Sequence, residues 1–125
     1  MTGLTLDTGA LIALERGNRV VAAVLQRAIA ANADVALPTT VIAQAMRDPA
    51  KQVALNVLMR TSATDIVDLD QPTAVAVGRM LAVSGTSDIT DAHVAVTATS
   101  RNHTIATNDP GDLAALAPNC KLIQV

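Results

Sequence analysis

Short apolar runs alternate with longer helix-forming segments along this sequence, and that alternation leaves few architectures open. Gly3-Leu4-Thr5-Leu6, ending at Asp7, reads as a strand. So do Asp34-Val35-Ala36-Leu37 before Pro38, Ile66-Val67-Asp68-Leu69, Thr104-Ile105-Ala106-Thr107, and the segment from Lys121 to Val125. Between them lie helical stretches. Ala10 to Glu15 stops at Gly17, and Val20, Val21, Val24, Leu25, Ala28 and Ile29 then mark one apolar helix face. Thr39 to Arg47 is expected to be helical, and Asp48-Pro49 to open a further helix with a capping Asp and a first-turn Pro. Asp70 caps a helix from Gln71-Pro72 to about Val83. Ser87 or Asp88 opens one reaching about Arg101, and Asp109 to Leu116 forms a short last one. Strands separated by helices imply a mainly parallel sheet covered on both faces: a three-layer α/β domain with five strands.

With 125 residues the chain suits a single domain over 1–125. Half of it is apolar, yet it has no Phe, Tyr or Trp, so the core must be built from Ala, Val, Leu and Ile, with Met46, Met59 and Met80 as fillers. Asp7, Glu15, Arg27 and Asp34 interrupt the N-terminal third before any membrane-length apolar run, and no signal peptide is expected. Lone Cys120 has no internal disulfide partner, which points to a reducing cytoplasm. A net charge of −2 argues against a broad basic nucleic-acid face, and the missing aromatics remove base-stacking platforms.

The acids are more informative. Ten Asp stand against one Glu, although Glu is the better helix former, so many of these aspartates serve local roles in caps, turns or ligation. Ligands of open parallel sheets bind beyond the carboxyl ends of the strands. Asp7 follows the first strand and Asp109 the fourth, while Asp88 and Asp91, three apart, share one helix face. Each alone is explained by capping or by the helix dipole. Should the first and fourth strands be neighbours, the four meet in one hollow, where they repel unless a cation neutralises them. Oxygen donors without Cys or paired His point to Mg²⁺ or Mn²⁺. Asp7-Thr8-Gly9 also spells the aspartic-protease signature, but that chemistry needs an all-β setting and here the tripeptide leads into a helix.

Three segments, in order, resemble the acidic motifs of PIN-domain ribonucleases, and within that family the VapC-type toxins of bacterial toxin–antitoxin pairs. They are Leu6-Asp7-Thr8-Gly9-Ala10-Leu11-Ile12-Ala13-Leu14, Ser87-Asp88-Ile89-Thr90-Asp91-Ala92-His93-Val94-Ala95, and Ile105-Ala106-Thr107-Asn108-Asp109. The resemblance implies a PIN-like five-stranded parallel sheet and an acidic pocket for one or two Mg²⁺ or Mn²⁺ ions. It also implies metal-dependent endoribonuclease activity on an RNA substrate, a homodimer, and inhibition by a small cognate antitoxin. Asp7, Asp91 and Asp109 carry over as metal-site and catalytic acids, Asp88 as a neighbouring acid, and Thr107 as a polar residue beside the pocket. One departure stands out. PIN toxins commonly carry a Glu where this chain has Gln44, whose neutral amide offers an oxygen but no base. The alternative is therefore an impaired PIN-like module that binds RNA or protein without cutting. Asp48, four residues on, is a candidate substitute for the missing charge.

Other residues carry lesser expectations. His93, two after Asp91, is expected at a surface or interface, His103 in solvent, and Cys120 at the core boundary. Arg16, Arg19, Arg47 and Arg60 are read as solvated, with RNA phosphates or an antitoxin as possible contacts. The apolar helices near the N-terminus and after Asp48 are read as core packing, with an antitoxin groove as the alternative.

Overall fold

Strand β1 (Gly3–Leu6) is buried at all four positions, as expected of a central parallel strand covered on both faces. The computed structural model describes residues 2–125. Around β1 lie β2 (Asp34–Pro38), β3 (Thr64–Val67), β4 (Thr104–Thr107) and β5 (Leu122–Gln124), in the order β3-β2-β1-β4-β5, every pairing parallel. Helices α1 (Thr8–Glu15) and α2 (Arg19–Ala30) join β1 to β2, and α3 (Thr39–Ala45) and α4 (Val53–Arg60) join β2 to β3. The return passes through α5 (Gln71–Ser84) and α6 (Ile89–Arg101) to β4, and α7 (Pro110–Leu116) leads to β5. Successive strands step one way from β1 to β3 and the other way from β4 to β5. Right-handed crossovers therefore put the two helix groups on opposite faces, which gives the expected three layers.

The core follows from the composition. Leu4, Leu6, Leu11, Leu37, Leu55, Ile105 and Leu113 are fully buried, and alanines such as Ala92, Ala95 and Ala98 let α6 lie close to the sheet. Met46, Met59 and Met80 pack against this core, as does Cys120. On α2 the buried stripe is Val21, Val24, Leu25 and Ala28; Val20 and Ile29, at its edges, remain exposed. The expected helix at Pro49 does not form. A turn there is closed by Lys51 N donating to Asp48 O (3.0 Å), and α4 starts only at Val53. Strand β3 lies two residues earlier than its apolar run suggests. A Thr64 N to Thr61 O turn starts it, and Ile66 is 40% exposed at this sheet edge.

Both histidines contradict their expected exposure. His103 is buried, with Nδ1 3.0 Å from the Thr5 hydroxyl, and its ring lies against Gly3. A Cβ at position 3 would overlap that imidazole. Gly3→Ala is expected to displace the ring and to cost about 1–3 kcal/mol, as overpacking generally does. Thermal melting checks this: Tm should fall by roughly 4 °C or more, and an unchanged Tm would contradict the packing argument.

Candidate active site

The chain reverses its direction of travel across the sheet at β1, because β2 and β4 flank it on opposite sides. A crevice opens at the carboxyl ends of β1 and β4, the place where ligands bind in such sheets. Register pairs Leu6 with Ala106, so Asp7 emerges beside Thr107, and Asp7 N donates to Ala106 O (3.2 Å). The sequence condition that first and fourth strands be neighbours is met.

Asp7 is 6% exposed and caps α1, its Oδ1 accepting from Ala10 N at 2.8 Å. Burial raises its pKa; hydrogen bonding to Thr107 and Ala10 N opposes the rise, and the Asp109 charge adds to it. The Thr107 hydroxyl also accepts from Asp109 N at 2.9 Å, so one threonine side chain ties the two strand ends together. Gly9 allows the close approach of α1 to the β4–α7 loop, since a Cβ there would overlap the Asn108 carboxamide. The motif Asp7-Thr8-Gly9 thus has a packing reason for its glycine.

Asp88 caps α6 by accepting from Asp91 N (2.9 Å), which turns Asp91 into the first helical turn. Asp109 occupies the cap position of α7 but makes no capping bond. Its carboxylate instead faces Asp112, whose pKa it raises by charge and by a side-chain hydrogen bond. Asp91 is the electrostatic centre of the group. Its pKa is pushed up to about 6, first by burial and then by Asp88, Asp112, Asp7 and Asp109. Among the described residues none of these five carboxylates has an ion-pair partner; the two ion pairs present are Lys51–Asp48 and Arg101–Asp65. A groove of ≈ 320 Å³ beside the cluster is lined by Asp88, Asp91 and Asp112 with Thr86 and Ser87. As the side chains stand, no three acids or histidines among the described residues are drawn tightly enough to enclose an ion.

Asp7, Asp88, Asp91 and Asp109 are thus brought into one electrostatic neighbourhood, and Asp112 joins them. Asp112 is not among the acids singled out from the sequence. The signal was there, because Asp109 and Asp112 repeat the three-residue spacing of Asp88 and Asp91 at a helix start. His93 stays apart. It is fully buried on α6, Nδ1 2.8 Å from the Thr40 hydroxyl and Nε2 without a partner among the described residues, and burial lowers its pKa.

The PIN domain description matches residues 4–117. The chain belongs to the PIN domain family. No similar sequence is found among curated proteins. Solved structures resemble this PIN domain over nearly its whole length. VapBC2 from Rickettsia felis, bound to a DNA fragment from their promoter, has a TM-score of 0.73 at 19% identity, covering 98% of each chain. FitAcB from Neisseria gonorrhoeae reaches 0.68 at 22% identity, covering 97% of this chain and 96% of that one. DNA-bound VapBC from Salmonella typhimurium reaches 0.69 at 19%, covering 99% and 98%. At such identities the likeness is one of fold.

Against the family pattern, Gln44 of this PIN domain is exposed on α3, and the Thr8 hydroxyl donates to its Oε1. That contact brings Gln44 to the residue following Asp7. Asp48 does not take its place: it lies beyond the end of α3, in an exposed ion pair with Lys51 (3.8 Å).

Proposed function

We propose that this PIN domain is a Mg²⁺- or Mn²⁺-dependent endoribonuclease, the toxin of a toxin–antitoxin pair, acting as a single domain. The observation that carries the reading is Asp91, whose pKa of about 6 reflects burial together with four neighbouring carboxylates, none of them in an ion pair among the described residues. Such a cluster is costly unless a divalent ion binds it. Carboxylate and hydroxyl oxygens from Asp7, Asp91, Asp109, Asp88 and Thr107 suit a hard cation in kind and in charge. Asp88 and Asp109 are exposed, within reach of an ion arriving from solvent. When bound, a divalent ion supplies charge neutralisation at the phosphodiester and lowers the pKa of a water.

The protein's own contribution is positioning. Ala10 N and Thr107 fix the Asp7 carboxylate, Thr107 fixes the backbone of Asp109, and the Asp88 cap fixes the turn that carries Asp91. Uncompensated, the same cluster repels RNA, so an acidic chain accepts a polyanion there only after its local charge is reversed. The VapBC and FitAcB assemblies among the similar structures support a small antitoxin as partner. The family resemblance supports a homodimer. Among the described residues no helix is long and apolar enough to cross a membrane, and we propose the cytoplasm as the compartment.

Gln44 favours a second reading, a PIN module that binds without cutting, because a neutral amide stands where a carboxylate is common. Calorimetric Mn²⁺ titration with a parallel RNA-cleavage assay separates the two. The nuclease reading expects Mn²⁺ binding and cleavage abolished by EDTA. RNA binding with neither Mn²⁺ uptake nor cleavage would establish the second reading.

A further inference from the structure

A second groove, of ≈ 500 Å³, begins at the residue after Asp7, and no residue lines both it and the acidic groove. Thr8, Gln44, Arg16 and Arg47 line it together with the buried Leu11 and Leu55. Its electrostatics are the reverse of the acidic groove's. Its one acid, Glu15, is committed, its carboxylate accepting from Leu55 N in the first turn of α4. Arg47 is anchored through Nη1 on the carbonyls of Ala43 (3.1 Å) and Met46 (2.9 Å), and among the described residues it makes no other side-chain bond. Arg16 has no side-chain hydrogen bond or ion pair among the described residues. With Oε1 of Gln44 engaged by Thr8, its Nε2 donors have no partner among the described residues.

Two guanidinium groups and an amide donor beside an acidic centre match a sugar–phosphate chain, for which arginine forks are the usual positioning contacts. A polyanion crossing the sheet end is repelled on the Asp88–Asp112 side and attracted on this one. We propose that this groove seats the nucleotide next to the cleaved phosphodiester in single-stranded RNA. Arg16 and Arg47 hold its phosphates, and Gln44 Nε2 bonds its sugar. The inference rests on the nuclease reading above and deepens it. With no aromatic side chain in the protein, the base meets only aliphatic surface such as Ile12, so the seat grips backbone and reads little sequence. Gln44 then has a positive role, because a carboxylate there would face the phosphates.

The test is fluorescence anisotropy of a labelled single-stranded RNA in EDTA across a salt series, with Mn²⁺-dependent cleavage in parallel. Arg16→Gln and Arg47→Gln are each expected to weaken binding several-fold and to reduce the log–log salt slope by about 0.7, the value for one lost phosphate contact on a single strand. Gln44→Glu should weaken RNA binding in EDTA while tightening Mn²⁺ binding, a pair of opposite shifts that misfolding does not produce. Arg27→Gln, outside the groove, should change neither. Wild-type affinity and slope in the arginine variants, with cleavage intact in the parent, would overturn the seat and leave the nuclease reading standing. A parent that neither binds nor cleaves RNA would overturn both. Unchanged RNA binding with lost affinity for a co-expressed antitoxin would assign the groove to the protein partner instead.

Discussion

Asp7→Asn is expected to abolish Mn²⁺ binding and to lower RNA cleavage at least about 10³-fold, the scale on which electrostatic stabilisation acts in such sites. Its stability should move the other way. Asn keeps the oxygen that caps α1 and is as good a cap as Asp, while the substitution removes a buried carboxylate whose pKa burial and Asp109 hold up. Without metal the variant should therefore melt at or above the parent temperature, and with Mn²⁺ only the parent should gain. Loss of activity through damage to the fold predicts a lower Tm in EDTA, so the two measurements together separate chemistry from folding. Cleavage at the parent rate would remove Asp7 from the site.

The second large effect is on pH. Asp91 titrates near 6 in the folded protein against an ordinary value of 3.8. The folded state therefore binds this proton more tightly than the unfolded one. The contribution of Asp91 to metal-free stability is therefore greatest below about pH 4, falls as pH rises to about 6, and is level above, by about 1 kcal/mol once solvent screening at this half-exposed position is allowed for. Divalent-ion binding has the opposite dependence, because the ligand must be deprotonated. Affinity should fall about tenfold per unit below pH 6 and level off above it, with roughly one proton released per ion at pH 5 and almost none at pH 7.5. Calorimetry in buffers of different ionisation enthalpy measures both quantities. A flat affinity between pH 5 and 7 would show that Asp91 takes no part.

Most of the fold was legible because periodicity and caps agree. Asp7, Asp70 and Asp88 each cap a helix, and the alternation of elements left only the strand order open. Errors fell where local signals compete with tertiary context. Asp48-Pro49 has the composition of a helix start, yet Gln52 draws the backbone into a turn, its Oε1 accepting from Arg47 N and Asp48 N and its Nε2 donating to Ala45 O. Ile66 and Leu69 are apolar but exposed, so the apolar run misplaced β3. His103 and His93 are polar by type, yet Thr5 and Thr40 supply buried partners that no local pattern announces. In the site, the acids were legible by position relative to strand ends. Asp112 was missed because a first-turn acid has a sufficient local explanation, and only the folded geometry sets it against Asp109.

The central place of β1 has a consequence for biosynthesis. Strand β1 is flanked by β4, completed only at Thr107, and Asp7 is held by a side chain from that later segment. While the polypeptide is being translated, β1 lacks one of its two neighbouring strands until β4 has been made. The acidic hollow is accordingly assembled last, and a prematurely terminated product ending before β4 carries no complete site.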